Sequence, residues 1–177
     1  MRIVLLTMVG VVAALACYPT TTRPHIVPQP GSAVMELELF LPEATREVAL
    51  ALDADSIPVR RTEPNDGWLE SEWFDAATMR PTSRRPLGPD IVKVRAFIEP
   101  SSANHSLVTI ETVYRLVADP SREGRSLERQ VPIQHPISIR VAAIVNRLTA
   151  AHGEPLEAAD SVAIQPSVAT DTTPAKP

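Results

Sequence analysis

The chain has 177 residues, 44% hydrophobic and 21% charged, with a formal net charge of −4. This length and apolar mass fit one domain with one closed core, and the mild acidity argues against nucleic acid as a partner. The single cysteine, Cys17, excludes an internal disulfide, the paired Cys and His spacings of a zinc site are absent, and nothing in the sequence calls for a metal or other cofactor.

The chain opens with a positive pair, Met1-Arg2, and residues 3–16 are then almost wholly apolar. That run is too short for the ~20 residues of a membrane-spanning helix. It has the length of a signal-peptide core, and it ends in Ala14-Leu15-Ala16 followed by Cys17. In this the chain resembles bacterial lipoproteins, in which small residues precede a cysteine whose thiol takes a diacylglycerol and which becomes the first residue after cleavage. That family prefers a larger aliphatic residue three places before the cysteine, where this chain has Ala14. Two other readings stay open: an ordinary signal-peptidase cut after Ala16, which leaves a soluble exported protein with a free thiol, and an uncleaved anchor. The lipoprotein resemblance implies two or more acyl chains on Cys17, enough for stable anchoring. Tyr18 stands where some of these proteins carry a sorting Asp, so the resemblance further implies the outer membrane, facing the periplasm.

Residues 17–32 read as a tether. Pro19, Pro24, Pro28 and Pro30 and the threonines at 20–22 give no apolar periodicity, so residues 18–32 are expected as an extended polyproline-like spacer with a reach of ~40–45 Å.

Residues 33–153 read as the domain. Met35, Leu37, Leu39 and Leu41 alternate with Glu36 and Glu38, the pattern of a half-buried strand. Pro42 and Glu43 suit a first helical turn, and Ala44, Val48, Ala51 and Leu52 share one helical stripe. Strands are expected over 57–63 and 68–74 about an Asn65-Asp66-Gly67 turn. In the second of these Leu69, Ser71 and Trp73 would face the core, and Trp68, Glu70, Glu72 and Phe74 would face outward. The two longest strand signals cover 91–99 and 107–117, with Val92, Val94, Ala96 and Ile98 opposite Val108, Ile110, Thr112, Tyr114 and Leu116 on the inner face. Residues 75–90 and 119–135 read as long loops. Pro136 opens a helix with Ile137, Val141, Ile144, Val145 and Leu148 on one face, and Gly153 stops it. From 154 to 177 the chain is Ala, Pro, Thr and Ser with few large apolar residues, the composition of a disordered tail.

The order β-α-β-β-β-β-α predicts an α+β two-layer sandwich, a mostly antiparallel sheet of about five strands with both helices on one face. The other face, with Glu36, Glu70, Lys93 and Arg95, is expected to be wet.

The cysteine, the Pro-rich spacer, and the pattern Val59-x-Arg61 followed by Gly67-Trp68-Leu69-x-Ser71-x-Trp73 together resemble the accessory lipoproteins of the β-barrel assembly machinery, of the NlpB or component C type. The resemblance covers roughly residues 34–153. It implies a non-enzymatic envelope module that works by contact with a protein partner, and it assigns no site residue. The alternative is a periplasmic carrier or sensor that holds a lipid or small amphiphile between helices and sheet.

No catalytic constellation stands out. His105 and His135 are too far apart in sequence and element to read as a ligand pair, a Gly-x-Ser-x-Gly nucleophile motif is absent, and Glu70 and Glu72 read as a solvated strand face. Trp73 is expected in the core, while Trp68 and Phe74 form a candidate contact patch. Arg80, Arg84 and Arg85 in one loop and Arg122, Arg125 and Arg129 in the other form a candidate anion- or membrane-binding rim. Hairpin topology puts both loops at one end of the sheet, and the same reasoning predicts that the tether from Cys17 leaves from that end.

Overall fold

The computed structural model describes residues 23–83 and 87–153. The apolar run with Cys17, the rim residues Arg84 and Arg85, and the segment from 154 onward lie outside the described residues.

The fold is α+β, an open antiparallel sheet with two helices. Strand β1 (Ala33–Leu37) leads into helix α1 (Leu41–Ala54), and β2 (Val59–Glu63), β3 (Trp68–Ser71), β4 (Phe74–Asp75), β5 (Arg80–Pro81), β6 (Ile91–Ser102) and β7 (His105–Arg115) follow. A 3-10 turn (Gly124–Leu127), β8 (Glu128–Gln130) and helix α2 (Pro136–His152) complete the domain. Among the described residues the sheet therefore has eight strands, not five. Its main path runs β1-β7-β6-β3-β2, with β8 added beyond β1 on the outer edge of β7, and β4 and β5 added beside the start of β6.

The three extra strands have local causes. The expected strand over 68–74 breaks after Ser71, whose hydroxyl donates to the Glu72 carbonyl at 2.7 Å and accepts from the Val94 N–H at 2.9 Å. This side chain replaces a rung of the ladder, Glu72 and Trp73 leave the pairing, and the alternation resets. Phe74 then faces the core while Trp73 faces outward, the reverse of the expectation for both. Within the two long loops, Arg80–Pro81 pairs back on β4, and Glu128–Gln130 pairs with Val113–Arg115 of β7. Strand β7 ends at Arg115, which leaves Leu116 exposed, not in the core.

Both helices lie on one face and share a single core with the sheet. From α1 it takes Ala44, Val48 and Leu52, from α2 Ile137, Val141, Ile144 and Leu148, and from the strands Met35, Leu37, Leu69, Val94, Ala96, Ile98, Val108 and Ile110. Helix α2 starts on Pro136, and the His135 ring accepts from the Ile137 N–H at 3.3 Å, an N-terminal cap that uses an otherwise unpaired amide. Gly67, at φ +61°, turns β2 into β3 in the left-handed region. A Cβ there would stand 2.2 Å from the Ile98 carbonyl oxygen.

Candidate functional site

On the face of the sheet away from the helices, cross-strand register sets charges side by side. Glu70 lies opposite Arg95, and Arg95 lies opposite Glu111. Strand β8 adds Glu128 beside Arg115, and the 3-10 turn before it adds Arg125. This face was expected to be wet, yet Arg95 is 5% exposed, Glu111 0% and Glu128 1%.

Every buried carboxylate is answered. Arg95 donates through Nε to Glu70 at 2.9 Å, through Nη1 to Glu111 at 3.0 Å and Glu128 at 2.7 Å, and through Nη2 to Glu128 at 3.1 Å. Arg125 donates to Glu111 at 2.7 and 2.9 Å and to Glu128 at 3.0 Å. Arg115 reaches Glu128 at 3.2 Å, and Lys93 pairs with Glu70 at 3.2 Å. Burial raises the affinity of Glu128 for a proton, but hydrogen bonds and charge from Arg95, then Arg125 and Arg115, outweigh it and hold the carboxyl below the usual glutamate range. Glu70 is lowered in the same way, burial being overcome by Arg95 and Lys93. Burial lowers the pKa of Lys93, and the charge of Glu70 offsets only part of that. Glu70 and Glu128 are thereby favoured as paired anions.

Residues 23–32, expected as part of a free tether, lie across this face as a strap. The Gln29 N–H donates to Glu111 at 3.0 Å, and Arg125 donates to the Val27 carbonyl. Arg23 stacks over Phe97, donates to the Ile98 carbonyl at 3.1 Å and pairs with Glu99 at 2.8 Å. The strap thus enters from the half of the sheet nearer the β6–β7 turn. The tether does not leave from the end that carries the arginine loops, because residues 23–32 double back over the sheet before β1 begins.

The sequence-predicted site residues separate. Trp68 is 1% exposed, edge-on to Phe97 at 4.9 Å between ring centroids, and Phe74 is 0% exposed in the core, so the two form no exposed patch. Trp73, expected in the core, lies half-buried on the outer face with Lys93 and Arg115 over its ring at 5.4 and 5.0 Å. Of the arginines, Arg125 belongs to the buried network. Arg129 donates to the Ser126 and Glu128 carbonyls at 3.2 and 2.8 Å, and Arg80 and Arg122 are exposed. Both loops do meet at one end: the Gly88 N–H donates to the Arg115 carbonyl at 2.7 Å, and Leu87, Arg115 and Arg122 line one concavity there. Among the described residues no cluster of three His, Cys, Asp or Glu is placed to hold a metal ion. His105 bonds the Ala103 carbonyl and His135 caps α2, far apart in the fold.

Sequence reasoning missed Arg115, Glu111 and Gln29, whereas Glu128 was among the loop carboxylates expected to neutralise the arginines and does pair with Arg125. The outward pair Glu70 and Arg95 was visible from alternation, but the strand that supplies Glu128 is three residues long inside a loop, and Gln29 sits in a stretch without periodicity. No protein-family model matches the chain, and no curated protein matches it.

Proposed function

We propose that the chain is a membrane-anchored envelope lipoprotein, without enzymatic activity, whose domain works as a protein-binding or assembly-accessory module. The anchor is Cys17, the membrane is the outer one, and the domain faces the periplasm. The observation that carries this reading is the strap. An apolar run ends at Cys17, and only six residues later Arg23 is fastened to the sheet by stacking and an ion pair. A chain of that length reaches at most ~20 Å, so a lipid on Cys17 would hold the folded domain close to the bilayer, not at the end of a long flexible leash. The space between helices and sheet is filled by Val48, Leu52, Ile98, Ile144 and their neighbours, which favours binding by surface contact over a carrier with its ligand between the layers.

Detergent-phase partitioning of the protein expressed in a bacterial host, wild type against Cys17→Ser, tests the anchor. Wild type is expected in the detergent phase and the variant in the aqueous phase. Cross-linking in intact cells tests the module: discrete heteromeric adducts are expected, and a monomer alone contradicts the binding role.

A further inference from the structure

The charge network on the outer face does not close. Among the described residues it holds four cations, Lys93, Arg95, Arg115 and Arg125, against three carboxylates, Glu70, Glu111 and Glu128. The surplus falls on Arg115. Among the described residues its one ion pair, at 3.2 Å, goes to Glu128, which also accepts from Arg95 and Arg125. Its Nε is buried with no partner among the described residues, and an unanswered guanidinium donor is a standing demand for an acceptor.

Arg115 is also held in place. Its guanidinium lies on the Trp73 ring, and the chain passes so close at Gly124 that a Cβ there would stand 2.6 Å from Nη2. On its open side is a concavity of about 400 Å³. Arg122 stands at its rim. Asp119 also lines the concavity; it accepts from the Ser121 hydroxyl at 2.6 Å and N–H at 3.0 Å, and these bonds, with the charge of Arg122 beside it, hold its carboxyl below the usual aspartate range. The remaining wall is apolar, with Leu87, Val117 and Leu127. Two guanidinium groups above an apolar wall fit a ligand with an anionic head and a short hydrocarbon body.

The geometry points to a binding site for an anionic amphiphile, a carboxylate or phosphate head carrying an apolar chain, formed by Arg115, Arg122, Leu87, Val117 and Leu127. The site goes beyond the proposed protein-binding role by adding a small-molecule ligand on the outer face, and it lies at the end of the sheet away from the strap's entry. Its test uses no partner and no lipid anchor, so its failure and the failure of the lipoprotein reading are separate results.

The test is titration of the full-length Cys17→Ser chain with octyl phosphate, inorganic phosphate and octyl glucoside, followed by calorimetry and by tryptophan fluorescence. Trp73 touches Arg115 whereas Trp68 is buried, so the optical signal reports on the site. Octyl phosphate is expected to saturate at sub-millimolar concentration, at least tenfold more tightly than the other two probes. Arg122→Ser, at an exposed position, is expected to weaken it at least tenfold, and Leu87→Ser to narrow its advantage over inorganic phosphate. Octyl glucoside binding as tightly as octyl phosphate overturns the anionic head. Inorganic phosphate binding as tightly overturns the apolar wall, and an unchanged affinity in Arg122→Ser overturns the assignment of the site. With saturation by octyl phosphate in hand, flotation of the same chain with phosphatidylglycerol vesicles, abolished by Arg122→Ser, identifies the head as a bilayer lipid's. Absence of flotation identifies it as a free amphiphile's.

Discussion

Truncating Arg95 would strand Glu111 and Glu128, both fully covered, with fewer donors than their charge requires. Removing one partner of a buried ionic network costs about 3–5 kcal/mol because the remaining charge stays buried. Arg95→Met is therefore expected to lose stability on that scale by urea denaturation. Adding Glu111→Gln and Glu128→Gln should recover part of the loss, and a loss no larger in the single variant than in the triple would contradict the network. Glu70 and Glu128 titrate below the ordinary value in the fold, so the unfolded chain binds more protons as pH falls past ~4.3. The stability they contribute is full above that pH and is lost as pH drops toward their folded values. Thermal melts should hold level from pH 7 to about 5 and fall steeply below ~4.3, with a shallower fall in Glu70→Gln. Gly67→Ala forces a side chain into the left-handed region and against the Ile98 carbonyl. The backbone strain alone is expected to cost ~1–3 kcal/mol, measured in the same denaturation assay. At this scale the sequence was legible where one residue decides a turn, as in Asn65-Asp66-Gly67. It was opaque where a side chain hydrogen bond overrides the pattern, as Ser71 does.

Helix α2 illustrates what periodicity reads well. Ile137, Val141, Ile144 and Leu148 recur at helical spacing, and all four are buried against the sheet. Ile144→Ala is expected to cost ~2–5 kcal/mol by chemical denaturation, the range for deleting a fully buried aliphatic side chain that leaves a cavity; a cost near zero would mean that α2 does not pack as described. Strands β6 and β7 were legible for the same reason, since alternation over ten or so residues outweighs local accidents. Two- and three-residue strands carry no period, so β5 and β8 stayed hidden in loops and β4 was merged into the strand expected over 68–74. The buried outer face was hidden with them. Lys93, Arg95 and Glu70 alternate as a solvated face does, but Trp73 lies against Lys93 and the return of β8 brings Glu128 onto Arg95. Charged residues on a strand face report an outward direction; whether another segment covers them is decided by contacts distant in sequence.

For the whole molecule, the strap ties the region behind Cys17 to the sheet. Composition alone predicts that trimming the spacer leaves the melting temperature unchanged. The structure leads to a different outcome. Deleting residues 23–31 from the strap removes the Gln29 N–H from Glu111 and the Val27 carbonyl from Arg125, and the loss of hydrogen bonds to buried charged groups is expected to cost ~1–3 kcal/mol. Calorimetry on the trimmed and full chains checks this, and equal melting temperatures would mean that the strap does not hold. The α+β architecture was legible from the order of elements, whereas the join between tether and domain was not, because proline-rich sequence gives no burial signal even where it lies on a sheet. The proposed anchoring rests on Cys17, and its most direct measurement is the intact mass and N-terminal peptide mass of the protein recovered from the membrane fraction of a bacterial host. The expected result is a chain that begins at Cys17 and carries a diacylglycerol thioether with acyl mass. A chain that begins at Cys17 with a free, unmodified thiol, or one that retains residues 1–16, would contradict it.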